Sequence, residues 1–260
     1  MKWIVGAALV ASFVCCPGRA GALDIPFRDD CAFYVSFDAE DFDADVADGK
    51  AEGERNKGTP PEFADGLRGK AMSVVYGGAT FDAKDNFSFG RPGSVSLWVQ
   101  PVQWKRKLEL PADPNSDSGR RTPTYNCFFG TPYNPDGYMG IQRMTSVHLE
   151  GAAALDSIMV FAHGYPKLLQ KNNNARAPHV DWADGEWHHI ALTWDKEEFR
   201  LYLDGKIGAQ VPVAGRIDPE DDAAQFFMGA SEPTLIDEVA VYKRVLSEGE
   251  IKTLFDSYKK

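Results

Sequence analysis

Apolar and polar positions alternate in short runs along most of this chain. Residues 32–37 form the first run, and 71–76 and 94–100 follow. Further runs lie at 125–129, 138–143 and 157–162, and the strongest at 186–195, 198–204, 225–229 and 234–242. Glycine, proline, asparagine and aspartate fill the gaps. Period-two runs separated by such residues predict an all-β chain. The clearest hairpin joins 186–195 to 198–204. Trp187, His189, Ala191 and Thr193 share one parity, and His188, Ile190, Leu192 and Trp194 the other. Asp195-Lys196-Glu197 supplies the turn, and Asp204-Gly205 begins a second. Large residues on both faces predict a strand buried on one side by a second sheet and partly covered on the other. One helix is predicted, at the C-terminal end. Ser247 and Glu250 have capping-box spacing, and Ile251, Leu254, Phe255 and Tyr258 form an apolar stripe.

Residues 105–124 and 164–184 read as long polar loops, the second carrying Asn172-Asn173-Asn174. Loops of this length in a compact domain are often functional. No internal repeat or second core is visible, so residues 23–260 read as one domain. The 260 residues are 43% hydrophobic and 25% charged, an ordinary globular balance that excludes wholesale disorder and a coiled coil.

Residues 1–22 read as a secretory signal peptide. Lys2 gives a positive start, residues 3–14 an apolar stretch too short to span a bilayer, and Ala20-Gly21-Ala22 a small-residue cleavage site. Lipid anchoring at Cys15 or Cys16 is the alternative, although Val14 makes a poor lipobox. No later apolar run is long enough to cross a membrane as a helix. A secreted, periplasmic or cell-exterior location is therefore expected. The formal charge is −10, and removing Lys2 and Arg19 with the leader makes the remainder more acidic. No basic stripe is present, so nucleic acid is excluded as a partner. Two cysteines, Cys31 and Cys127, lie beyond the leader. In an oxidising compartment they are candidates for a disulfide closing a loop of about 95 residues, worth roughly 4–5 kcal/mol of chain entropy. Two buried free thiols are the alternative.

The stretch Gly185–Lys206, GEWHHIALTWDKEEFRLYLDGK, resembles the signature hairpin of laminin-G-like jelly rolls. These belong with pentraxins to the concanavalin A-like lectin/glucanase superfamily. Four further stretches agree in order: AFYVSFDAED from Ala32, FADGLRGKAMSV from Phe63, GSVSLWVQP from Gly93, and FFMGASEPTLIDEVAVYKRVLSEGEI from Phe226. The resemblance implies a two-sheet antiparallel jelly-roll sandwich with a short C-terminal helix. It also implies one structural calcium ion near the sandwich edge, with Asp237 and Asp38 as the matching ligands. Calcium takes six to eight oxygens, so main-chain carbonyls and water would complete the set.

Function is less sharply drawn, because such sandwiches host binders and enzymes alike. The Glu-x-Asp-x-Glu and Glu-x-Asp-x-x-Glu strands of the superfamily's glycosidases are absent. The acidic run from Asp38 to Asp48 fits no EF-hand frame and reads as a solvated loop. His188 and His189 are adjacent, face opposite ways and cannot ligate one metal from one strand. Aromatics remain. Trp98, Trp187 and Trp194 belong to strands, whereas Trp104, Tyr133 and Trp182 lie in or beside loops and are candidates for stacking on sugar rings. Arg120 and Arg121 are candidates for clamping the carboxylate of an acidic glycan. The expected function is a secreted, non-catalytic recognition domain for carbohydrate or an extracellular surface. A glycan-active hydrolase or lyase, and a protein-binding adhesion module, are the alternatives.

Overall fold

The computed structural model describes residues 25–104, 124–132, 138–147, 154–163, 174–178, 180–213 and 222–259. Residues 1–22, read above as a leader, lie outside them. In chain order the strands begin with β1 (Cys31–Val35), β2 (Val46–Ala47), β3 (Glu54–Arg55), β4 (Glu62–Asp65), β5 (Lys70–Val74), β6 (Gly77–Asp82) and β7 (Gly93–Pro101). Next come β8 (Thr124–Gly130), β9 (Tyr138–Val147), β10 (Ala154–His163), β11 (Asn174–Pro178) and β12 (His188–Trp194). The last are β13 (Glu198–Leu203), β14 (Lys206–Pro212), β15 (Gln225–Ala230) and β16 (Thr234–Tyr242), before helix α1 (Glu248–Ser257).

These strands form the expected jelly-roll sandwich of two antiparallel sheets. The first has the order β14-β13-β12-β7-β16-β1-β2, with β5 joined to β16 and β4 beyond it. The second has the order β11-β10-β9-β8-β15-β6-β3. Alternation explains the layers. Val95, Leu97 and Val99 of β7 and Ile190 and Leu192 of β12 face the interior, where they meet Ile158 and Val160 of β10 and Phe226 and Met228 of β15. The intervening residues of the first sheet are also buried, because α1 covers them. Ile251 and Leu254 pack over Tyr34, Ala191, Tyr202 and Tyr242, and Phe255 stacks on Trp98 at 5.7 Å.

The predicted cap is present: Ser247 accepts from the Glu250 amide and Glu250 from the Ser247 amide. Arg244 hydrogen bonds to Glu250 and holds its carboxyl down to about 2. The hairpin predicted at 186–204 is β12–β13, with Leu192 opposite Leu201.

Two expectations change. The polar loop predicted at 164–184 contains β11, which pairs along β10 from Asn174–Phe161 to Pro178–Ser157. The disulfide is not made: Cys31 and Cys127 are free thiols. Cys31 belongs to the cluster beneath α1 on the outside of the first sheet. Cys127 stands on the outside of the second sheet, with its Sγ beside Gly140. Two sheets packed about 10 Å apart separate them, beyond the reach of a disulfide. Burial pushes each thiol up to about 12. Peptide mapping of unreduced protein should therefore recover Cys31 and Cys127 as separate thiols, unreactive at about pH 8 until the chain unfolds. A linked peptide pair would overturn this assignment.

Candidate functional site

The chemistry-bearing residues fall into four places. The first is a bulge in β16. Between Asp237 and Ala240 the strand register shifts, and Glu238 has φ of 52°. Before the bulge β16 pairs with β5, and after it with β1, while β7 runs along its other side. The turn 66–69 occupies the gap. Asp237 Oδ2 accepts from the Leu67 amide at 2.8 Å and Oδ1 from the Glu238 amide at 2.8 Å. Asp38, just beyond β1, accepts from the Lys70 amide at 2.8 Å. Gly66 and Gly69 make the approach possible. A Cβ at Gly66 would stand 2.5 Å from Asp237 Oδ2, and one at Gly69 1.9 Å from Asp38 Oδ1.

Glu238 accepts from the Tyr34 hydroxyl. Arg68 lies over the Tyr258 ring at 4.2 Å and donates to the Ser257 carbonyl. Burial and the neighbouring Glu238 charge push Asp237 up to about 9, against the pull of the amides. Burial raises Glu238 as well. The two residues expected to ligate calcium are thus brought to one turn. Among the described residues no three His, Cys, Asp or Glu side chains are grouped to hold a metal, so a cation here would depend on main-chain oxygens.

The second place is an interior guanidinium. Arg143 is 1% exposed. It donates to Asp156 through Nε at 2.8 Å and Nη2 at 2.7 Å, and to Glu232 through Nη1. It also lies over Trp104, 4.6 Å from the ring centroid. Trp104 is 5% exposed and Trp182 8%; they pack on each other, and Trp104 stacks on Phe128. Both were expected to meet ligand, and both are core. Trp182 in turn stacks on His188, their planes 3° apart, while His189 faces the α1 side against Trp98. The histidines face opposite ways as predicted. Arg120, Arg121 and Tyr133 lie outside the described residues.

The third place is a cleft of about 910 Å³ between the ends of β6, β12 and β16. Several of its polar groups are engaged within the chain, whereas Ser88 Oγ is shielded without a hydrogen-bond partner. Asn86 bonds to Gly49, Lys50 and Asp82, and Lys243 pairs with Asp48. Trp194 is buried, and its Nε1 donates to the Phe89 and Arg91 carbonyls.

The fourth place is the outer face of the second sheet, between β8 and β11. Tyr125 there is 49% exposed. It lies opposite Met144 of β9, which lies opposite Ser157 of β10. Arg176 of β11 donates from Nε to Ser157 Oγ at 2.9 Å. Its Nη2 is shielded from water without a hydrogen-bond partner, and so is Oδ1 of Asn174, two residues earlier on the same face. Gln142, Met159 and Phe161 form a buried floor beside them. Gly140 makes room there, since a Cβ would strike the Phe161 ring at 2.8 Å. An accessible aromatic beside unsatisfied donor and acceptor groups is what a polar ligand with an apolar face requires. The sequence pattern placed Tyr125 in a strand but gave no sign that its strand's outer face was open. Arg176 was read as loop.

Residues 156–252 match the family model of the concanavalin A-like lectin/glucanases superfamily. A search of curated protein sequences gives no match. Among solved structures, the fold is similar to domain 4 of AbnA, a GH43 extracellular arabinanase from Geobacillus stearothermophilus, in complex with arabinotriose. Its TM-score is 0.58 at 19% identity, over 86% of this chain and 98% of that one. The receptor-binding domain of botulinum neurotoxin C/D mosaic serotype gives 0.55 at 10%, over 88% of this chain and 51% of that one. The binding domain of Paraclostridial Mosquitocidal Protein 1 gives 0.55 at 14%, over 88% and 52%. The chain thus spans about half of each toxin domain. At these identities the likeness establishes the fold.

The acidic bulge generates a pH dependence. Asp237 has an ordinary value of 3.8 and is raised to about 9 when folded. Between these values the folded chain holds a proton that the unfolded chain has released, so stability falls as pH rises. With chelator present, the urea midpoint should be lower at about pH 8.5 than at about pH 5, and Asp237→Asn should flatten that difference. An unchanged pH profile in the variant would contradict a raised Asp237.

Proposed function

We propose that this chain is a carbohydrate-recognition domain working outside the cell, that binding rather than turnover is its role, and that glycan lies on the outer face of β8–β11. The observation that carries this reading is the row from the exposed Tyr125 to Arg176 and Asn174, whose polar atoms lack partners. An aromatic ring covers the apolar face of a sugar, and convergent polar groups fix its hydroxyls. The match over nearly all of a domain solved with arabinotriose supports the same class of ligand. The sequence of residues 1–22, which reads as a secretory leader, supports the location, and among the described residues no helix is long and apolar enough to cross a membrane.

A screen of neutral and acidic oligosaccharides should find a ligand, and calorimetry should then compare Tyr125→Ala with the parent. Loss of the aromatic platform is expected to weaken binding by about tenfold or more with little change in melting temperature, because Tyr125 is half exposed. Unchanged affinity in a folded variant would remove Tyr125 from the site.

A calcium ion at the Asp38–Asp237 turn is a separate part of this reading. A carboxylate oxygen that accepts an amide retains a second lone pair, so both aspartates can also face a cation. Bound there, calcium would offset the charge of the buried acids and tie β1, β5 and β16 together. Calcium is expected to raise the melting temperature, chelator to reverse it, and Asp237→Ala to abolish the difference. No response to calcium in the parent would exclude the ion.

A further inference from the structure

We infer that the outer face of β8–β11 selects glycans that carry a carboxylate, and that Arg176 is the residue that reads it. This rests on the reading of that face as the glycan site and adds the ligand's charge. The two arginines on β9 and β11 differ in one respect. Arg143 is neutralised by Asp156 and Glu232. Arg176 has one partner, the neutral Ser157 hydroxyl, and a shielded nitrogen with none. Burial lowers its pKa without threatening its charge, because an arginine remains cationic throughout the physiological range.

The absence of a carboxylate partner is local. The chain carries 38 acidic residues against 28 basic ones. Yet the outward alternate positions of β8, β9, β10 and β11 hold no aspartate or glutamate among the described residues. Among the described residues, a cation stands here on an acid-free strand face of an acidic protein. A half-buried guanidinium without a counter-charge is poorly solvated, and a carboxylate supplied by a ligand would satisfy it.

The geometry suits that ligand. The Nε–Ser157 bond directs the guanidinium along β10, and the Nη edge is left for a two-point hydrogen bond to a carboxylate. Tyr125 and Ser157 stand two strand spacings apart, about 10 Å. A sugar ring resting on Tyr125 and crossing Met144 therefore brings its carboxylate toward Arg176, beside the unpartnered Oδ1 of Asn174. Uronic acids and sialic acids share this chemistry.

Titration calorimetry on the full-length folded protein should use trigalacturonate against its methyl ester, and sialyllactose against lactose. Whichever acidic sugar is the source should bind about tenfold or more tightly than its uncharged counterpart. Arg176→Met should erase that preference, bringing the acidic sugar's affinity down to that of its uncharged counterpart in the same variant. Arg176→Lys, which keeps the charge but loses the fork, should retain part of the preference. Equal affinity for acidic and neutral sugars in the parent, or a preference that survives Arg176→Met, would overturn the inference while leaving glycan binding intact. Absence of binding by every sugar would overturn both.

Discussion

Strand β16 cannot keep one neighbour along its length. Its first residues pair with β5 and its last with β1, and the exchange takes place inside the molecule, beneath α1. An exchange of partners leaves main-chain donors without a ladder, and buried donors must be satisfied. Asp237 and Asp38 satisfy those of the turn 66–70, and Glu238 binds the hydroxyl of Tyr34 from the strand that takes over. Short side chains on the turn are a condition of this arrangement, which is why glycine stands at positions 66 and 69. The acid pair is thus the hinge-pin of the first sheet, and its raised proton affinity follows from placing two carboxyls where water cannot reach them.

The second sheet solves a different problem. Its inward face is apolar except toward one end, where Asn126, Thr145 and Asp156 accompany Arg143, which is surrounded by Asp156, Glu232 and the Trp104 ring. That arrangement draws Trp104 and Trp182 into the interior. A buried guanidinium needs both its charge and its flat faces covered, and the aromatic rings supply the second. The outward face has no helix like α1 above it in the described structure, and there the satisfied pattern breaks down at Arg176 and Asn174.

The parts of this molecule legible from sequence are those governed by local periodicity. The β12–β13 hairpin follows from alternation, the opposed directions of His188 and His189 from the same rule, and the start of α1 from Ser247 and Glu250. Asp38 and Asp237 were brought together by resemblance and do meet at one turn. What was not legible depends on long-range pairing. β11 has the sequence Asn-Ala-Arg-Ala-Pro, poor in strand-favouring residues, and exists because β10 offers an edge. Trp104 and Trp182 look like loop aromatics because the residues around them are polar. Their burial is set by Arg143, which is distant in sequence. Cys31 and Cys127 show the same limit: their spacing is compatible with a bridge, but the faces on which they stand are decided by sheet assignment.

These observations bear on recognition as against catalysis. General acid–base work needs a carboxyl in a perturbed environment that also faces a substrate. The strongly perturbed acids here face the chain's own groups: Asp237 the turn amides, Glu238 two tyrosines, and Glu250 the Arg244 guanidinium. Removing any of them from its partner would disturb the fold. The face beside Tyr125 presents the complementary set among the described residues, with no carboxyl but with donors, an acceptor and an accessible ring. A surface of that composition can hold a sugar by stacking and hydrogen bonding. The perturbed acids are enclosed by the chain's own groups, whereas the exposed Tyr125 ring stands beside the unpartnered Arg176 and Asn174, and that contrast is the physical ground for the proposed reading of this sandwich as a binder.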